Sequence, residues 1–276
     1  MKSHFFTTKS GYQIHYQTVD NILPASTVFI HGNVASNRWW LPTEEVFSAE
    51  AKGKNVTGTM ICVEFLGCGK SEVPKNAEDV NVIQFAHDFN DLLADLNHKT
   101  GRNEKFNLVG HSTGGFIAAA MTALQTNLFN KSVLLDPVGA KGLTLDDNIK
   151  AGFEAMKADR NISALAIGAT IYNNDATTDY FNQVIVEDTF TAVKNISYWV
   201  VQAFHKIDAT ALMSQSITPT LVLHGEHDNL LSRQDSEELA IKYLKNGKFE
   251  IVPNHGHCMN IENPKNFVKK ISSFLF

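Results

Sequence analysis

Three things are scarce or missing in this sequence, and each removes a class of function. Cysteine is scarce: Cys62, Cys68 and Cys258 are odd in number and widely spaced. They make neither a disulfide framework nor a zinc knuckle. Lys and Arg form no run, and the formal charge is −5. That leaves no electrostatic footprint for nucleic acid. No stretch approaches the roughly 18 consecutive apolar residues of a membrane span. The opening MKSHFFTTKSGYQIHYQTVD also lacks the apolar core and small-residue cleavage site of a signal peptide. The expectation is a cytoplasmic protein that takes neither nucleic acid nor membrane as partner. Its oligomeric state, a homodimer included, is left open.

What is present is an ordinary globular composition: 276 residues, 43% hydrophobic and 19% charged. Short apolar runs alternate with amphipathic stretches. Ser26–Ile30, Gly58–Val63, Phe106–Val109, Ser132–Leu135, Thr220–Leu223 and Phe249–Val252 read as strands buried on both faces. The alternation on either side of Ser10-Gly11 reads as an N-terminal hairpin. Val82 to Leu96 repeats its apolar residues three and four apart, and Ala118 to Leu128 reads as a small-residue helix. Ser232-Arg-Gln-Asp235 resembles a capping box, and Asn263-Pro264 an N-cap followed by proline. Strand and helix in alternation predict a doubly wound α/β sheet. The rhythm breaks over 139–216, which reads as a helical insertion between a first core part, 1–138, and a second, 217–276.

The segment EFLGCGKS, Glu64 to Ser71, ends like a phosphate-binding loop. Such a loop needs a glycine five positions before Gly69, where its backbone would wrap a polyphosphate. Glu64 stands there instead, so the nucleotide reading fails. Gly67 and Gly69 are expected to turn the chain back beneath the loop at Asn33, with Glu64 and Ser71 satisfying backbone groups.

The sharpest motif is Gly110-His111-Ser112-Thr113-Gly114, a G-x-S-x-G between a strand and a helix. That context presents a serine on a strained turn above the sheet. A serine hydroxyl needs a base, and the base an orienting acid. Asp228 follows the strand ending at Leu223, and His257 follows the strand ending at Val252. Both stand at carboxyl ends of strands, in the order Ser112, Asp228, His257. His255 is a second candidate base and Asp136 a second candidate acid; Gly256 before His257 and the proline after Asp136 favour His257 and Asp228. Two backbone N–H groups are needed for an oxyanion. Thr113 supplies one, and the His31-Gly32-Asn33 turn supplies the other from Asn33, with Val34 as the alternative. His31, Trp39, Trp40, His111, Phe181, Trp199 and Met259 are candidate substrate-pocket residues. The aromatics Phe153, Tyr172, Tyr180, Phe190, Tyr198 and Phe204 suggest an apolar roof.

Taken in order, the His31-Gly32-Asn33 loop, the Gly67/Gly69 loop, the Gly110–Gly114 elbow, Gly225-Glu-His-Asp228 and Gly256-His257 resemble the α/β-hydrolase superfamily. So does the ending His257-x-x-x-x-Glu262-x-Pro264-x-x-Phe267, so that the resemblance spans nearly the whole chain. It implies an eight-stranded, mostly parallel sheet with a helical cap between strands 6 and 7. Within the superfamily, Ser112 stands where dehalogenases and epoxide hydrolases carry Asp. Cys258 stands where C–C hydrolases usually carry Trp. The resemblance therefore implies a serine hydrolase of esters, lactones or thioesters with a small-molecule substrate and no metal or organic cofactor. A lyase or oxygenase on the same fold, a C–C hydrolase and a non-catalytic ligand sensor are the alternatives.

Overall fold

The computed structural model describes residues 1–101, 103–205 and 207–276. An eight-stranded sheet organises the chain, in the order β1-β2-β4-β3-β5-β6-β7-β8. β1 (Lys2–Thr7) and β2 (Gln13–Leu23) form the antiparallel N-terminal hairpin, and β2 pairs antiparallel with β4, so that β2 alone runs against the rest. β3 (Thr27–Ile30), β4 (Gly58–Val63), β5 (Phe106–His111), β6 (Phe129–Leu135), β7 (Thr220–Gly225) and β8 (Gly247–Val252) run parallel. β3, β5 and β7 are buried along their whole length, which is why they read as unbroken apolar runs rather than as alternation.

Helices cover both faces. α1 (Leu41–Ala51) and α2 (Val82–Thr100) precede the elbow helix α3 (Thr113–Leu124). α3 starts five residues earlier than its small-residue run suggests and ends before Leu128, because Phe129 already begins β6. The chain between β6 and β7 is helical, as expected: α4 (Asp147–Ala158), α5 (Arg160–Gly168), α6 (Val186–Asn195), α7 (Ser197–Phe204) and α8 (Thr210–Met213). After β7 come α9 (Arg233–Glu238), then α10 (Met259–Glu262) and α11 (Pro264–Leu275). Ser232 caps α9 through the Asp235 N–H, and Asn263 caps α11 through the Asn266 N–H.

The core has two main layers. One, between the sheet and α2, α3 and α7, holds Phe65, Phe85, Phe89, Phe116 and Phe204; the other, between the sheet and α1 and α11, holds Phe29, Trp40, Phe47 and Phe267. Among the described residues no helix is long and apolar enough to cross a membrane.

The glycine loop does what its sequence suggested, with one change of partner. Glu64 is 3% exposed, and its carboxylate accepts N–H bonds from Asn37 (3.0 Å) and Lys70 (2.8 Å) and pairs with His15 Nδ1 at 2.7 Å. Ser71 Oγ donates to Glu64 O and accepts the His15 N–H. Any side chain at Gly69 would collide with the Glu64 carboxylate, 2.1 Å from an added Cβ. The longer Glu side chain thus reaches across the loop and holds the chain at Asn37, four residues beyond Asn33.

Candidate active site

Ser112 joins β5 to α3 at φ 53 and ψ −118, a strained conformation for a residue with a Cβ. The flanking glycines permit it: a Cβ on Gly110 would lie 2.2 Å from Gly114 O, and one on Gly114 2.3 Å from Ile30 O. The elbow is thereby pressed between its own helix and the end of β3. The Ser112 hydroxyl bonds to no described residue, and Ser112 lies on the wall of a cavity of about 490 Å³. His257 lies on the same wall.

Behind His257, its Nδ1 donates to Asp228 Oδ2 at 2.8 Å. Asp228 Oδ1 also accepts the N–H groups of Leu230 (2.8 Å) and Leu231 (3.1 Å). Burial pushes the Asp228 carboxyl up, but the His257 hydrogen bond and charge and the two N–H donors outweigh it, and the net direction is down. Asp228 is held ionised, as an orienter of imidazole must be. The turn carrying His257 is pinned by Glu262, whose carboxylate accepts N–H bonds from Tyr172, Gly256 and Cys258. His257 N–H donates to Thr170 O at 3.1 Å. His255, the second candidate base, bonds Pro253 O through Nδ1 and lies outside the cavity wall. Asp136, the second candidate acid, is fully buried beside Asp228 and binds the Gly225 N–H, not His257.

The two candidate oxyanion donors both line the cavity, at Asn33 and Thr113. Neither backbone N–H is bonded to any described residue. The Val34 N–H, by contrast, is taken by Asn33 Oδ1 at 3.0 Å. Of the two N–H groups weighed in this loop, that of Asn33 is the one without a partner among the described residues.

Of the seven candidate pocket residues, Trp39 and His111 lie on the cavity wall. The other five do not, for identifiable packing reasons. His31 stacks on Phe65 at 4.4 Å beneath the loop. Trp40 is buried between Phe29 and Phe267 in the α1/α11 layer, and Met259 joins the same cluster. Phe181 packs with Trp39, Ile167 and Ile185 inside the insertion. Trp199 sits half-buried against the main core, because α7 gives the cavity Val201 and Phe204 instead. Among the proposed roof aromatics, Phe153 and Phe204 reach the wall; Tyr172, Tyr180, Phe190 and Tyr198 do not. The wall also takes Ile149 and Met156 from α4 and Leu230 and Leu231 from the loop after Asp228. Ile149, Phe153 and Met156 stand four and three apart, so this stripe was visible as one helix face.

Residues 27–270 match the profile described as the Alpha/beta hydrolase family. The chain belongs to that family. Among its relatives, this α/β hydrolase is 26% identical over 271 residues to a non-heme chloroperoxidase from Burkholderia pyrrocinia, covering 92% of this chain and 93% of that protein. It is 25% identical over 227 residues to the 2-hydroxy-6-oxo-6-(2'-aminophenyl)hexa-2,4-dienoic acid hydrolase of Metapseudomonas resinovorans, covering 78% and 73%. Among solved structures, an esterase from Exiguobacterium antarcticum superposes with a TM-score of 0.80 at 17% identity, covering 98% of each chain. At that identity the likeness is one of fold.

Proposed function

We propose that this α/β hydrolase cleaves carboxylic esters, lactones or thioesters of small-to-medium apolar acyl groups through an acyl-enzyme on Ser112. The observation that carries this is convergence: an unbonded serine hydroxyl, a histidine backed by an ionised Asp, and two free backbone N–H groups share one apolar wall.

In this reading His257 takes the Ser112 proton as Oγ attacks the ester carbonyl. Asp228 keeps the Nδ1–H tautomer in place and stabilises the imidazolium. The Asn33 and Thr113 N–H groups bind the oxyanion, with the N-terminus of α3 adding its positive end. The tetrahedral adduct collapses, His257 returns the proton to the departing alcohol, and the acyl group stays on Ser112. Water then repeats the sequence with His257 as base, releasing the acid. The groups named complete this cycle without a metal or organic cofactor.

The cavity wall favours this over the C–C hydrolase reading. Its described residues include no Lys or Arg. A dienoic acid of the kind in the Metapseudomonas enzyme's name would bring a carboxylate into an apolar chamber with no cation to meet it, at a cost of several kcal/mol. A neutral ester meets no such penalty. The test is a series of p-nitrophenyl esters from acetate to decanoate alongside a muconate-type dienoic acid. Turnover of the neutral esters, with none of the acid, supports the proposal; the reverse pattern refutes it.

A further inference from the structure

Asp136 is a titratable group that the chemistry above leaves unused. It closes β6 at φ 44, a left-handed conformation that costs a non-glycine residue about 1–3 kcal/mol, and it is fully buried. Its Oδ1 accepts the Gly225 N–H at 2.7 Å, with His224 Nδ1 3.4 Å away. Its Oδ2 is buried with no donor among the described residues. Yet its carboxyl lies against Asp228: one ligand atom each of Asp136, His224 and Asp228 all fall within 4.8 Å of one another.

Two ionised carboxylates in contact inside a dry core repel strongly, and a single shared proton removes the repulsion. The proton belongs on Asp136. Asp228 already accepts from His257 Nδ1 and from the Leu230 and Leu231 N–H groups, which hold its negative charge. Asp136 has one N–H donor and an oxygen without a partner. Of the other titratable groups near it, His224 is pushed down by burial and bonds Ser236 Oγ at 3.1 Å, so it supplies no balancing cation. Glu262 adds a further negative field. We propose that Asp136 is a neutral carboxylic acid whose hydroxyl donates to Asp228, making it a positioning residue behind the His257–Asp228 pair. Burial and the Asp228 charge both push its carboxyl well above the usual range, in agreement. The donated hydrogen bond disperses part of the Asp228 charge and fixes the plane of that carboxylate toward His257. With most Asp228 lone pairs committed to N–H donors, a proton suits the contact better than a cation does.

The consequence for catalysis rests on the reading of His257 as the base; the protonation state does not, so two measurements separate them. The first is the infrared spectrum of the whole protein at pH 7, wild type against Asp136→Asn. A protonated-carboxyl C=O band present in the wild type and missing in the variant is the expected result. Its absence from the wild type overturns the proposal whatever the enzyme hydrolyses. So does a divalent metal retained stoichiometrically through dialysis and lost in the variant.

The second measurement is the pH profile of kcat/KM on p-nitrophenyl butyrate. Asp136→Ala lowers kcat by roughly tenfold, the scale of one lost buried hydrogen bond, with KM little changed. Its acid limb moves up by about half a pH unit or more, since Asp228 without its donor holds the imidazolium more tightly. Asp136→Asn retains an acceptor for Gly225 and a donor for Asp228, and recovers both readouts. An unmoved limb in Asp136→Ala marks a merely structural residue and overturns the proposal. Should Asp136→Ala not fold, Asp136→Asn decides alone: a limb shifted downward means that a negative charge was removed, and that Asp136 was ionised.

Discussion

His111 Nε2 donates to the main-chain oxygen of His257 at 2.8 Å, so the residue before the candidate nucleophile holds the candidate base. The two rings lie 4.8 Å apart. Burial, then the neighbouring His257, pushes the His111 imidazole down to about 3, and it stays neutral at any working pH. The elbow and the His257 turn are therefore one unit, joined across β5 and the loop after β8. Replacing His111 by Phe keeps the ring and strands a buried carbonyl, at a cost of about 1–3 kcal/mol. Steady-state kinetics on p-nitrophenyl butyrate should show kcat lowered by roughly one to two orders of magnitude with a near-constant KM. An unchanged kcat would dissolve the link.

The Glu64–His15 pair gives a prediction on stability. Burial pushes the Glu64 carboxyl up, but the His15 hydrogen bond, the Lys70 N–H and the His31 and His15 charges outweigh it, and the net direction is down. A carboxyl lowered on folding contributes stability that is full above its unfolded value, about 4.3, and is lost as pH falls through the folded one. Glu64→Gln removes the charged acceptor shared by His15, Asn37 and Lys70 and should cost about 1.5–3 kcal/mol at pH 7. Urea unfolding at pH 7 and at pH 3 checks it: the gap between wild type and variant should be wide at the first and narrow sharply at the second. A gap independent of pH contradicts the ionised Glu64 carboxylate.

The helical insertion is latched to the candidate oxyanion loop. Asp188 on α6 accepts from Ser36 Oγ at 2.6 Å and pairs with Arg38, while Thr189 Oγ1 donates to Val34 O and Asn33 Nδ2 to Ser197 O. Tyr180 Oη adds a bond to Arg38 O. Asp188→Ala leaves Ser36 and Arg38 without their acceptor; with Arg38 partly exposed, the cost should be about 1–3 kcal/mol. Calorimetry should show a lowered Tm, and ester turnover should fall because the Asn33 N–H loses its fixed direction. A variant with a lower Tm and full kcat would show that the latch serves stability alone.

How much of this was legible beforehand divides along a physical line. The elbow, Asp228, His257 and Asn33 sit just beyond strand ends, where local glycines and apolar runs mark each turn, so short sequence windows were enough to place them there. Glu64 was recognised as a backbone acceptor, but its reach to Asn37 depends on the loop's closed shape. The pocket wall was mostly illegible. Trp39 and Trp40 are neighbours with the same chemistry, and only the packing of α1 on α11 sends one to the core and the other to the cavity. Trp199 and Phe181 were misplaced for a similar reason, since the face each helix of the insertion shows to the site is set by its neighbours. Asp136 was visible as a rival acid; its contact with Asp228 was not, because it joins the ends of β6 and β7.

The central claim is that Ser112 is a nucleophile activated by His257, and covalent labelling tests it most directly. Incubation with a fluorophosphonate probe, followed by mass spectrometry of the intact protein and its peptides, should show one adduct, on Ser112. Labelling should vanish in Ser112→Ala and slow greatly in His257→Ala. Ser112→Ala should also lose on the order of 10⁶ in kcat on p-nitrophenyl butyrate. An unlabelled Ser112 in a folded protein that turns over no ester would contradict the account.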